Sequence, residues 1–204
     1  MSRLAQVAAA VALAGVIAAS ASATGSTIYP GVGIGKLKLG MTKARVEKIL
    51  GGDGLVDDRN TIAGHSYLEL GWNFDSWSVG FLLQKGRYRA VRIGTTQARQ
   101  RMTNGIGPGT HWLKLVRAYP HGLCSWFWSG PEAGPGYLLP RKDGTQMLFT
   151  FRKWPDPQSV SYTTYAVVQV VVRTVYRPLP EFAPGYEHRC RDGWQMTQVP
   201  QPHP

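Results

Sequence analysis

The chain has 204 residues and carries 23 Lys and Arg against 12 Asp and Glu, a formal net charge of +11. A field of that sign attracts nucleic acid, anionic lipid, wall polymer or an acidic protein, and it governs association rather than fold. The cations are dispersed rather than gathered in a run, which leaves plain solubilisation as the competing use of the charge.

Arg3, the apolar stretch from Leu4 to Ala19 and then Ala21-Ser22-Ala23 have the order of a secretory signal peptide, so residues 1–23 are expected to be removed after Ala23. The run is shorter than the ~20 residues a bilayer span needs. Thr24 rather than a cysteine stands directly after the small-residue site, so a lipoprotein anchor is not indicated, and no later apolar run is long enough to span, so a secreted or otherwise extracytoplasmic protein with no stable membrane span after processing is expected. Outside the cell nucleic acid drops out, leaving an acidic extracytoplasmic protein or an anionic wall polymer as the partner.

From Thr24 to Lys38 the chain is punctuated by Gly31, Gly33 and Gly35 and reads as an extended lead-in. Gly35-Lys36 is followed by Leu37 rather than Ser or Thr, so a phosphate loop is not indicated. Thr42 is placed to cap a short helix in which Val46, Ile49 and Leu50 form the apolar stripe, with Gly51-Gly52 as its stop. The adjacent carboxylates Asp57 and Asp58 are expected in a loop. Strands are expected over Tyr67 to Trp72, Trp77 to Leu83 and Tyr88 to Ile93, where apolar and smaller or polar residues alternate.

The pattern then repeats. Leu39 to Gly51 aligns with Pro108 to Pro120, Gly40 on Gly109, and Trp112, Leu115, Val116 and Tyr119 form a second apolar stripe. Strands are expected again over Tyr137 to Leu139, Met147 to Arg152 and Tyr165 to Tyr176, with turns at Gly86 and Asp143-Gly144. The expected architecture is α+β, two tandem helix-plus-antiparallel-sheet repeats packed together, their sheets either joining or stacking to bury a shared face. Residues 24–104 hold the lead-in and first repeat, 105–177 the second, and 178–204 a tail with six of the 14 prolines.

The spacing Gly40-Met41-Thr42, Val46 and Gly51, followed by a Tyr/Trp-rich strand and a Val-x-Phe strand, resembles the repeat of the secreted β-lactamase inhibitor protein family. It is also similar to the related small lipoproteins of the outer-membrane β-barrel assembly machinery. The resemblance covers residues 35 to 176 and implies a protein-binding role. Those inhibitors carry cysteine pairs inside each repeat, which this chain lacks, and no binding residue is carried over.

In an oxidising compartment Cys124 and Cys190 are expected to pair, tying the tail to the second repeat. His65, His111, His121, His188 and His203 are not spaced as metal ligands, so neither metal nor cofactor is expected, and His111 reads as a helix-start residue. No catalytic group stands out. The segment Trp126-Phe127-Trp128 sets three rings in a row, which one strand face cannot hide, so either both faces are covered or rings are exposed. With Arg152, Lys153 and Trp154 they form the candidate binding surface. The resulting expectation is an exported, non-enzymatic binding protein, inhibitor-like or envelope-associated; a basic, aromatic-lined binder of wall polymer or glycan is the alternative, and a hydrolase the third.

Overall fold

The computed structural model describes residues 27–62, 64–73, 76–127, 134–151, 166–174 and 188–189. The Thr42 hydroxyl accepts the Arg45 amide at 3.4 Å and starts α1 (Lys43–Leu50), and the left-handed Gly51 ends it by donating to the Glu47 carbonyl. α2 (Trp112–Ala118) starts at His111, whose Nδ1 accepts the Leu113 amide at 3.3 Å.

Both helices are approached in the same way. Gly40 and Gly109 have φ of 81° and 83°, a conformation that costs any residue with a Cβ. Gly40 donates to the Ala90 carbonyl and Ala90 donates back to Met41; Gly109 donates to Val167, which donates back to Thr110. Each glycine thus leads the chain into its helix while its amide is bonded to the backbone of a later segment, Ala90 for Gly40 and Val167 for Gly109. Val46 and Leu115, both 0% exposed, drive those helices into the core.

The lead-in forms a small antiparallel sheet of two-residue strands, β1 (Ile28–Tyr29), β2 (Gly33–Ile34) and β3 (Leu37–Lys38). The remaining strands are β4 (Leu55–Ile62), β5 (His65–Trp72), β6 (Trp77–Gln84), β7 (Arg87–Thr95), β8 (Leu123–Phe127), β9 (Gly134–Pro140), β10 (Thr145–Thr150), β11 (Gln169–Thr174) and β12 (His188–Arg189). They make one sheet in the order β12-β8-β9-β10-β11-β7-β6-β5-β4, antiparallel at every step.

This corrects the expected α+β architecture of two tandem helix-plus-sheet repeats. The protein is mostly β, with two helices of 8 and 7 residues among the described residues. The strands do not form two packed sheets, because β7 and β11 pair from Arg92↔Arg173 to Thr95↔Val170 and merge them edge to edge. An exposed strand edge offers a row of unpaired backbone groups, and joining two such edges satisfies both.

Two of the longer strands were not expected. β4 has no alternating apolar face and is exposed along all but its last residue, yet its backbone pairs with β5 across a bulge between Val56 and Asp58. Asp57 and Asp58 therefore lie on an edge strand rather than in a loop. β8 is the other, and its pairing with β9 sets the far side of the sheet. In the tail, His188 and Arg189 form a short strand where only a loop was expected.

The main core lies between the sheet and the layer made by both helices and the small sheet. Val46, Trp112 and Leu115 from the helices and Ile28, Ile34 and Leu37 from the small sheet meet Leu70, Val79, Phe81, Ile93, Phe149, Val170 and Val172. Trp112 stands edge-on to Tyr137 and Phe151, both at 5.3 Å between ring centroids. Among the described residues, no helix is long and apolar enough to cross a membrane.

Candidate functional site at the end of β8

β8 and β10 both pair antiparallel with β9 and so run parallel to each other. Ser125 and Thr150 face the same residue, Gly136, from opposite sides; Trp126 is opposite Pro135 and Phe127 opposite Gly134. β8, which includes Trp126 and Phe127, and β10, which precedes Arg152-Lys153-Trp154 in the sequence, therefore have their C-terminal ends at the same end of the sheet. Those strands lie two apart, about 9–10 Å at ordinary strand spacing.

β12 pairs only with Leu123 and Cys124, so among the described residues the outer edge of Ser125 to Phe127 carries no strand. The side chains of Cys124, Trp126 and Phe127 lie outside the described residues, as do Trp128, Arg152, Lys153, Trp154 and Cys190 altogether. The expected disulfide and the exposure of the rings fall there.

The face of the sheet opposite the helices holds a second arrangement that the alternating pattern did not reveal. Half-buried strands were expected, yet Glu69, Ser78, Arg92, Gln169 and Arg173 on this face are all buried. Glu69 takes an ion pair from Arg92 through one carboxylate oxygen and the Tyr67 hydroxyl, at 2.7 Å, through the other. Ser78 Oγ accepts from Arg92 at 3.0 Å and from Gln169 Nε2 at 3.2 Å, while Arg173 Nε donates to Gln146 Oε1 at 3.2 Å.

This polar stripe crosses the β7–β11 seam, where Arg92 and Arg173 are directly opposite. Apolar patches flank it, Ile62, Tyr67, Leu82 and Val91 on one side and Leu138, Leu148 and Val171 on the other. Glycine makes the room: a Cβ at Gly80 would lie 2.2 Å from the Tyr67 hydroxyl, and one at Gly94 2.5 Å from Ser78 Oγ. The sequence signal was present as single polar residues, Glu69, Ser78 and Arg92, and the pair Gln169 and Arg173 four apart, within apolar strands. Only the pairing of five strands reveals that they meet one another rather than water.

At the other end of β8 and β9 lies an open cleft of about 550 Å³, within the usual range for ligand sites. Its lining is largely apolar, with Pro30, Tyr119, Pro120, Leu139, Pro140 and Met147, and His121 and Arg141 add polar groups. Tyr137 holds one wall in shape: its hydroxyl donates to the Tyr119 carbonyl and accepts the Gly122 amide at 3.2 Å. Burial pushes the Tyr137 phenol above its ordinary pKa, because the phenolate loses solvation; the Gly122 contact opposes this more weakly. On the β9–β10 turn, hydrogen bonds from the Thr145 hydroxyl and amide hold the exposed Asp143 carboxyl below its usual range, and Arg141 assists.

Among the described residues no group of three or more His, Cys, Asp or Glu side chains is arranged to hold a metal ion. His111 serves as the helix cap expected of it. No family model matches the chain, and no curated protein or solved structure matches it either.

Proposed function

We propose that the chain is an exported binding protein that meets an acidic extracytoplasmic protein through the ring-bearing end of β8 and the segment after β10. The observation that supports this reading is the shared register of Ser125 and Thr150 on Gly136, which brings the C-terminal ends of β8 and β10 to the same end of the sheet. Trp is enriched among the contacts that dominate protein interfaces, and Arg152 and Lys153 supply charge complementary to an acidic partner. The likeness of the Gly40 motif to the secreted β-lactamase inhibitors supports a protein rather than a polymer as the partner, and the signal-like residues 1–23 support an extracytoplasmic meeting place.

The test is retention of extracytoplasmic proteins on immobilised full-length protein, with wild type compared against Trp126→Ala and Trp154→Ala of unchanged melting temperature. A partner should be retained by wild type and lost by the variants, with an affinity drop of about thirtyfold for a dominant contact. Retention should persist at about 1 M salt, where the Debye length is about 3 Å. Equal retention by wild type and variants overturns the proposal, as does binding confined to an anionic polymer that vanishes in salt.

A further inference from the structure

The cleft at the opposite end of β8 points to an occupant within the same chain. β12 runs antiparallel to β8, with His188 opposite Cys124 and Arg189 opposite Leu123. The direction of that ladder leads from Leu123 toward Gly122 and His121, and both line the cleft. The next part of the sequence is Arg191 to Pro204, which contains Asp192, Trp194, Met196, Val199, Pro200 and Pro202. We propose that this C-terminal segment docks in the cleft between the end of α2 and the β9–β10 hairpin.

Three features of the cleft fit that segment. Its apolar lining, with three prolines, Leu139 and Met147 beside the Tyr119 ring, suits Trp194, Met196 and the prolines that follow. Extended proline-containing segments dock well on such surfaces because little backbone freedom remains for them to lose. His121 and Arg141, the latter also paired with Asp143, offer polar partners at the lining to Asp192, the one acidic side chain of the segment. Reach is ample, since an extended chain covers about 3.3 Å per residue.

The cleft wall is also built to keep its shape. A Cβ at Gly122 would lie 2.2 Å from the Tyr137 ring, so the loop that carries His121 sits directly on a buried side chain. That loop is further tied by the two Tyr137 hydroxyl bonds to Tyr119 and Gly122. A preformed site spares the segment the cost of shaping one. Occupation by the protein's own tail would keep other apolar peptides out of this cleft, and it is independent of the ring-bearing surface at the far end of β8.

The experiment uses the full chain and trypsin cleavage after Arg191, read by mass spectrometry as release of the peptide from Asp192 to Pro204. Ala118→Trp fills the cleft from its α2 side and should speed release about tenfold, because cleavage tracks the population of the undocked form. Trp194→Asp, a change confined to the segment itself, should speed release by a similar factor and shift the Met147 methyl resonance. Release at the wild-type rate in Trp194→Asp, with no change at Met147, overturns the proposal even if Ala118→Trp fails to fold. The wild-type rate should not vary with protein concentration; protection that grows with concentration would assign the cleft to the tail of a second copy and overturn docking within one chain.

Discussion

The helix-covered face of the large sheet and the opposite face both withdraw side chains from water, but one does it with hydrocarbon and the other with a polar stripe between two apolar patches. Under the helices, Phe81, Ile93, Phe149, Val170 and Val172 pack against Val46, Trp112 and Leu115, a non-directional burial that tolerates small shifts. On the other face Glu69, Arg92, Ser78 and Gln169 must meet at hydrogen-bonding distance across β5, β6, β7 and β11. The first face supplies cohesion. The second specifies register, because a slip of one residue at the β7–β11 seam would strand the polar groups in an apolar setting.

The comparison breaks most sharply at Glu69. Replacing it with Ala leaves Arg92 buried without that carboxylate and should cost about 3–5 kcal/mol, seen as a lower denaturation midpoint. Replacing Glu69 and Arg92 together by Leu and Met should recover most of that loss, since a buried ion pair often does no better than hydrocarbon of similar volume. If Glu69→Ala leaves the midpoint unchanged, the stripe is solvated and the two faces differ less than described.

On the helix-covered face, Leu115→Ala should cost about 2–5 kcal/mol through lost burial and the cavity left behind. A loss well below that range would mean that α2 settles onto the sheet and closes the space.

Tyr137 lies where the apolar face meets a polar wall, and Tyr137→Phe should cost about 1–1.5 kcal/mol by removing the hydroxyl bonds to the Tyr119 carbonyl and Gly122 amide, which keep their 3.2 Å bond to each other. The pH dependence has a definite sign. The folded pKa is raised above 10.0, so the folded state holds its proton where the unfolded state releases it, and stability should fall as the pH climbs from about 10 through the folded value. Comparing melting temperatures of wild type and Tyr137→Phe across that window checks this, and parallel curves would contradict it.

The smallest effect belongs to the helix ends. Thr42→Ala removes the hydroxyl that accepts the Arg45 amide and should cost about 1 kcal/mol, a sign that α1 is held mainly by Val46 in the core rather than by its cap. A loss near that of Leu115→Ala would reverse that ranking.

Local chemistry made several elements legible in the sequence. Thr42 and Gly51 bound α1, Gly40 and Gly109 lead into helices with matching backbone bonds, and the alternating stretches around Val79, Phe149 and Val170 are strands. Those features depend on residues a few positions apart, which is the range over which caps, glycine conformations and side-chain periodicity act. β4 escaped notice because an exposed edge strand needs only a neighbouring ladder, not an apolar face of its own.

What only the tertiary structure decided is how the strands share edges. The β7–β11 pairing merged the strands of the two expected repeats into one sheet, nine-stranded among the described residues, in a mostly β protein. The same pairing brought Ser78 to Gln169, and the ladders of β9 aligned Ser125 with Thr150. Each partner choice is a competition among distant backbone edges of nearly equal hydrogen-bonding capacity, settled by the summed burial and polar satisfaction of the whole sheet, and no window of neighbouring residues contains that sum.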